Sequence, residues 1–377
     1  MTYADPVASS HLEDDQRPAH SQLLRSGFTT GACAAAAARA ATRALVTGQP
    51  VKAIAVDLPV RRGVVFSIHR CDVHVGQATC SVIKDAGDDP DVTHGAEIVA
   101  TVEWSERPGI TLRGGKGVGI VTRPGLELDV GEPAINPAPR RMIVQAVAAE
   151  LDTHARGVTV TISVPQGEQL AAQTLNPRLG IVGGISILGT SGIVRPYSQA
   201  AYRATIHVAL KVAVANKAPC VVLCTGRRSE AWARARYPHL PELSFVEVGD
   251  HIGYALRQAD RLGISHVVIA GMVGKLSKVA QGRWHTHVNQ GGVDLYFLAS
   301  LAAQLGARED LVARCRTANT ARHVQVLLRR ARIAGLEERI ARLAAERAAD
   351  YVRAVNRIEV LVFDLHGDLV GYAEVTR

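Results

Sequence analysis

Four carboxylates and one imidazole crowd a single short stretch, KDAGDDPDVTHG at 84–95. They are Asp85, Asp88, Asp89, Asp91 and His94. Gly87, Pro90 and Gly95 mark the stretch as a loop. Side chains of this kind can move protons or order a turn through Asx hydrogen bonds. A calcium loop is excluded, because the twelfth position counted from Asp89 is Ala100, where a bidentate Glu is needed. Repulsion among the carboxylates must be offset by cations or backbone N–H groups. A functional loop is the favoured reading.

Three glycine-rich stretches could let backbone N–H groups approach a ligand. RGGKGVG (113–119) lacks the spacing of a dinucleotide fingerprint, since the sixth position from Gly115 is Ile120. GMVGKLSK (271–278) is not a P-loop, because two residues rather than four separate Gly271 from Gly274. It does read as a strand end running into a helix, with Lys275 and the helix N-terminus favouring an anion. GGISILGTSGIVRP (183–196) reads equally as a ligand loop or an interdomain hinge. His285 and His287 lack an evident third metal ligand, so core or hydrogen-bonding roles are favoured. The six cysteines are scattered without a C-x-x-C pair, which favours a reduced, cytoplasmic protein.

The elements that must carry these residues follow from local pattern. Alanine-rich 31–47 predicts a helix capped by Thr29 or Thr30 and stopped by Gly48 and Pro50. Residues 51–59 and 63–69 predict a hairpin, and 71–83 and 96–104 predict strands. A loop-rich stretch over 105–139 precedes a helix at 140–154 and a strand at 157–164. Beyond about 185 short apolar runs at 219–225, 243–249 and 264–272 alternate with helices at 199–216, 228–236 and 250–262. That alternation predicts a parallel, doubly wound sheet. Residues 290–305, 309–332 and 335–355 read as Arg-rich helices with solvated faces, and 357–375 as a closing hairpin. The expected fold class is therefore α+β followed by α/β, in two domains. A disordered acidic tail occupies 1–24, an α+β domain 25–188, and a Rossmann-like α/β domain 189–377.

The chain has 377 residues, with 43 Lys plus Arg against 35 Asp plus Glu, giving a net charge of +8 with His neutral. That balance suits a polyanionic partner. Aromatic residues make up only 4%, too few for the stacking platforms of a nucleic-acid binder. No apolar run approaches a membrane span, and the first residues do not read as a signal peptide.

Six blocks taken together resemble the CbiD family of cobalt-precorrin-5B C1-methyltransferases. They are LRSGFTTGACAAAAARAA (24–41), KDAGDDPDVTHGAEI (84–98), GGKGVGIVTRPGL (114–126), GEPAINPAPRRMI (131–143), NPRLGIVGGISILGTSGIVRPYS (176–198) and GKLSKVAQG (274–282). The chain departs from the family pattern at Met272, where a His is usual, and at Val288, where a Ser is usual.

The resemblance implies S-adenosylmethionine as methyl donor and a cobalt tetrapyrrole as acceptor, with cobalt arriving inside the substrate. No protein-bound metal is implied. Within the blocks, Lys84, Lys116, Arg140, Arg141, Arg178 and Arg195 are candidates to pair with the acceptor's carboxylates, together with Thr29 and Thr30. Gly184, Gly189, Thr190, Ser191, Gly271, Gly274 and Lys275 are candidates for the donor site. Asp85, Asp88 or His94 would remove or relay a proton. A tetrapyrrole carrier and an NAD(P)-dependent reductase are the rival readings. The reductase is weakened by the single Gly226 after 219–225. Oligomeric state is left open.

Overall fold

The computed structural model describes residues 24–377, so the expectation for the tail falls outside the described residues. The chain is a mixed α/β structure built on two five-stranded sheets.

Around the first sheet the elements are α1 (Thr30–Thr47), β1 (Ala53–Leu58), β2 (Arg61–Ser67), β3 (Arg70–His74), β4 (Gln77–Ile83), β5 (Glu97–Ser105), β6 (Ile110–Gly114), α2 (Pro137–Ala148) and β7 (Gly157–Ser163). The sheet order is β3-β4-β5-β7-β6, with β7 antiparallel to β5 and parallel to β6. β1 and β2 form a separate hairpin. Helix α1 packs on the sheet, on α2 and on β1 at once, and so is buried on nearly every side. Only methyl-sized side chains let a helix sit that close to neighbours in several directions, which explains the alanine run. The Thr29 hydroxyl accepts from the Ala32 N–H, and Gly48 closes the helix in the left-handed region.

The second sheet is assembled from α3 (Gln199–Ala215), β8 (Val221–Cys224), α4 (Arg227–Arg236), β9 (Phe245–Glu247), α5 (Ile252–Arg261), β10 (His266–Met272), α6 (Val273–Ala280), α7 (Leu295–Gln304), α8 (Glu309–Arg316), α9 (Ala321–Arg330), α10 (Leu336–Tyr351), β11 (Arg357–Phe363) and β12 (Leu369–Thr376). Its order is β9-β8-β10-β11-β12, parallel except for β12. From β8 the chain moves outward to β9, then crosses back to β10 on the other side of β8. The carboxyl ends of β8 and β10 thus flank a topological switch point. Side chains alternate across the sheet. Val221, Leu223, Val267 and Ile269 enter a large helix-covered core, whereas Val222, Cys224, Val268 and Ala270 face a smaller one closed by α4.

Several expectations shift. The strand expected over 71–83 is two strands turned at Val75-Gly76, where Gly76 has a positive φ. The helix expected at 140–154 begins at Pro137, because prolines suit a first turn, and ends at Ala148. The expected helix 309–332 breaks at 317–320, where the Thr320 hydroxyl caps α9. The closing hairpin is no appendage, since β11 pairs with β10 along its full length.

The crossing of two backbone segments at Gly117 tests this packing. Its φ is +73°, and a Cβ there would lie 1.9 Å from the Val164 carbonyl oxygen. Gly117→Ala is expected to destabilise the protein by about 2 kcal/mol or more. Urea unfolding should show the midpoint fall.

Candidate active site

A cavity of about 810 Å³ opens at the carboxyl edge of the parallel sheet, beside the switch point. That volume lies within the roughly 300–1,000 Å³ typical of small-molecule sites. Its floor is the turns that leave the strands. Thr225 and Gly226 follow β8, Met272 ends β10 with Gly274 two residues on, and Asp364 follows β11. Its roof is α9 and the loop 286–293.

Two helices begin at this floor without a side-chain cap. Gly226 precedes α4 and Met272 precedes α6, and neither supplies a capping oxygen. Their first N–H groups and the positive ends of their dipoles are therefore free for an anion. Arg227 and Arg228 on α4, and Arg322 and Arg329 on α9, line the same space. Among the described residues none of these four makes an ion pair.

The polar groups on the wall are held in place. Lys275 Nζ donates to the Thr225 carbonyl at 2.8 Å and pairs with Asp250 Oδ1 at 3.0 Å. The Thr286 hydroxyl donates to the same Asp250 oxygen at 2.7 Å. Burial would raise the Asp250 carboxyl, but Thr286 and Lys275 outweigh it and hold it below the ordinary carboxylate range. Lys278 is buried and donates to the Thr286 and Gly291 carbonyls at 2.7 and 2.9 Å, fastening the roof loop. Behind Asp250, His251 and His285 lie edge to face with centroids 4.9 Å apart. Burial, then His285 and Arg203, push His251 down to about 4, so it is neutral at pH 7. Among the described residues no group of three His, Cys, Asp or Glu side chains is placed to hold a metal.

The residues singled out from sequence fall into different places. Gly274 and Lys275 line the cavity. Gly271 does not reach it. Its missing Cβ would meet the Thr225 hydroxyl at 2.7 Å, so its role is close packing under the floor. Gly184, Gly189 and Ser191 also lie outside the cavity lining. Gly184 crosses the Gly117 backbone, Gly189 abuts Thr29, and the Ser191 hydroxyl bonds within its own turn to Ile193. Thr190 lines a separate pocket with Arg61, Arg62 and Arg141.

The 84–95 loop is a fastening. Arg25 grips Asp85 with both terminal nitrogens, one at 2.9 Å, and its backbone N–H donates to Asp88 at 2.6 Å. That grip holds the Asp85 carboxyl down at about 2, where it is a poor base. Buried Lys84 donates to Asp91 at 2.7 Å, and Tyr197 N–H donates to Asp89 at 2.9 Å. His94 Nδ1 accepts the Ala86 N–H at 3.1 Å, an arrangement in which the neutral ring carries its proton on Nε2. The geometry thus gives Asp85, Asp88 and His94 partners that order the loop.

The expected carboxylate binders divide likewise. Arg140 donates to the Ile135 carbonyl at 2.7 Å and braces the 131–135 loop. Arg178 donates to Glu230 at 2.6 Å and to the Phe245 carbonyl at 3.2 Å, joining the two sheets' surroundings. Thr29 caps α1, and the Thr30 hydroxyl exchanges hydrogen bonds with Leu188 and Ser186. Lys116 and Arg195 are exposed. Arg227, Arg228, Arg322, Arg329 and Asp250 were not singled out. The available signal was Gly226-Arg-Arg after a strand, and Arg322 and Arg329 two helical turns apart on one face.

Two outcomes test this geometry. Arg178→Ala leaves the buried Glu230 with only the longer contact to Arg234 at 3.7 Å, and is expected to cost about 3 kcal/mol in denaturant unfolding. His251 binds its proton only near pH 4 in the fold but near 6.5 when unfolded. The unfolded chain therefore holds more protons between those values, and stability falls as pH drops through them. The thermal midpoint of His251→Gln should lose that part of the slope between pH 6.5 and 4.

Residues 17–196 match the CbiD family, and residues 285–374 match the CbiD C-terminal domain. The cobalt-precorrin-5B C(1)-methyltransferase of Geobacillus kaustophilus is 50% identical over 355 residues, covering 93% of this chain and 95% of that protein. The enzyme of the same name from Salinispora arenicola is 54% identical over 312 residues, covering 83% and 82%. That from Leptospira interrogans is 44% identical over 352 residues, covering 93% and 96%. The crystal structure of the cobalamin biosynthesis protein (cbiD) from Archaeoglobus fulgidus shares 31% identity over 68% of this chain and 79% of that one, with a TM-score of 0.36. With half of its residues identical to a relative along nearly the whole length of both, the chain belongs to the CbiD family.

Proposed function

We infer that this chain is a cobalt-precorrin-5B C(1)-methyltransferase of cobalamin biosynthesis, and that it works in the cavity at the carboxyl edge of the parallel sheet. The family supplies the reaction. The single observation that carries the location is the meeting of two uncapped helix starts with four unpaired arginines around one space of adequate size. The acceptor carries acetate and propionate groups, and a wall of this sign attracts and orients them. We further propose that the chain divides into an α+β domain over 25–188 and a Rossmann-like domain over 189–377, the second holding the reacting groups.

S-adenosylmethionine would supply an electrophilic methyl group to a carbon of the macrocycle. Such a transfer needs no nucleophile from the protein. The chain's contribution is orientation, which is worth about 7–11 kcal/mol when the attack line is held. Arg227, Arg322 and Arg329 hold carboxylates from two sides of the cleft. Lys275, fixed by Asp250 and the Thr225 carbonyl, keeps the floor rigid between the two helix starts. Met272, Val273 and Phe363 give the cleft an apolar surface against which a macrocycle can lie. The loop 84–95 acts as a clamp.

Incubation of the protein under anaerobic conditions with cobalt-precorrin-5B and methyl-labelled S-adenosylmethionine should place one label on the macrocycle, read by mass spectrometry. Arg227→Ala and Arg322→Ala should each lower kcat/KM by about tenfold or more with the fold intact. Absence of label from folded protein that binds the macrocycle overturns the reading. Full activity in both variants moves the site elsewhere.

A further inference from the structure

Glu247 is a half-buried carboxylate without a partner. Among the described residues, no donor reaches its side-chain oxygens and no cation pairs with it. Its neighbours are spoken for. Glu230 takes Arg178, and Asp250 takes Lys275. Burial and the nearby Glu230 push the Glu247 carboxyl up, against the pull of Arg227, Arg178 and Lys275. An acid kept in such surroundings costs stability, and only the attraction of those three cations, without a hydrogen bond or an ion pair, opposes the cost.

Its place in the fold gives it a use. Glu247 is the last residue of β9, and its register partner is Cys224, the last residue of β8. The next residues after Cys224 are Thr225 and Gly226, the floor of the cavity. Glu247 thus stands at the end of the strand beside the one whose turn opens α4. The Tyr202 hydroxyl donates to the Glu247 carbonyl at 3.4 Å and steadies the strand end. In nucleotide-binding sheets a turn after one strand receives the ligand, and an acid roughly 20 residues on, at the end of the neighbouring strand, accepts the ribose hydroxyls. Gly226 and Glu247 reproduce that spacing and that adjacency.

We propose that Glu247 accepts the ribose hydroxyls of the adenosine part of the methyl donor. The donor then lies across the ends of β8 and β9, and the tetrapyrrole takes the arginine-lined side towards α9. The basic groups and the lone acid are thereby divided between two ligands of opposite need. Carboxylates want Arg, whereas a neutral diol wants an acceptor. This inference rests on the methyltransferase reading above.

The test uses S-adenosylhomocysteine and its 2′-deoxy counterpart, titrated calorimetrically into the wild type, Glu247→Gln and Glu247→Ala. The wild type should bind the ribose form about ten- to a hundredfold more tightly than the deoxy form, as expected for hydrogen bonds to a charged acceptor. Glu247→Ala should lose that preference while its ligand-free thermal midpoint stays level or rises. Glu247→Gln should fall between them, since an amide oxygen still accepts. An Ala variant that keeps both affinity and preference overturns the inference alone. So does an equal loss for both ligands with a lowered midpoint, which marks a structural role. A wild type that binds neither ligand overturns the donor reading itself and this inference with it.

Discussion

Arg178 belongs to one half of the chain, and its guanidinium is spent in the other. Both it and Glu230 are largely withdrawn from water, so the pair holds only because the geometry is good and the Phe245 carbonyl takes a second N–H. The tether continues inward. Two residues before Arg178, the Asn176 amide donates to the Gly184 carbonyl at 3.0 Å and accepts from the Ser186 hydroxyl at 3.2 Å. The Ser186 carbonyl in turn accepts from the Thr30 hydroxyl. Polar contacts, joined by the short stretch of chain from Asn176 to Arg178, thus link the first turn of α1 to the first turn of α4, where the cavity begins. The blocks that make the family recognisable at 24–41 and 176–198 supply Thr30, Asn176, Arg178, Gly184 and Ser186 to this series, whereas the unpaired arginines of the cavity lie outside both blocks.

Charge is distributed in keeping with that division. The acids of the 84–95 loop are neutralised internally by Arg25, Lys84 and backbone N–H groups. The arginines around the cavity are not neutralised, and two helix dipoles add to them. A net charge of +8 says little by itself. What matters is that unpaired positive groups converge on one concave space while unpaired negative groups are almost absent from it. That arrangement raises the local concentration of a polycarboxylate and aligns it before any bond is made.

Much of the secondary structure was legible because it is locally determined. Alanine content, the cap at Thr29 and the stop at Gly48, and alternating apolar runs each carry their own signal. The turn at Val75-Gly76 was not, because it is only two residues long and Gly76 is its one local signal. The site was less legible still. A carboxylate cluster reads as chemistry when its cation is unseen, and Arg25 stands some sixty positions before Asp85. Arg178 reads as a ligand-binding residue until Glu230 is found beside it. Arg322 and Arg329 lie on a basic amphipathic helix that reads like any solvated face, and only the fold brings that face over a sheet edge. Polar pairs made across long sequence separations leave no periodicity behind, and the absence of a partner leaves none either.

The departure at Met272 can be read in the same physical terms. A helix start needs acceptors for its first N–H groups, and Ser, Thr, Asp or Asn before α6 would provide one from within. A thioether accepts only weakly. Gly226 before α4 provides nothing at all. Two neighbouring helices therefore start at the cavity without a side-chain acceptor for their first N–H groups. Free donors at a buried helix start are a cost to the folded protein unless something else accepts from them. An anionic or strongly polar ligand spanning both turns removes that cost, so the same two residue choices that leave the empty site less comfortable make the occupied one tighter.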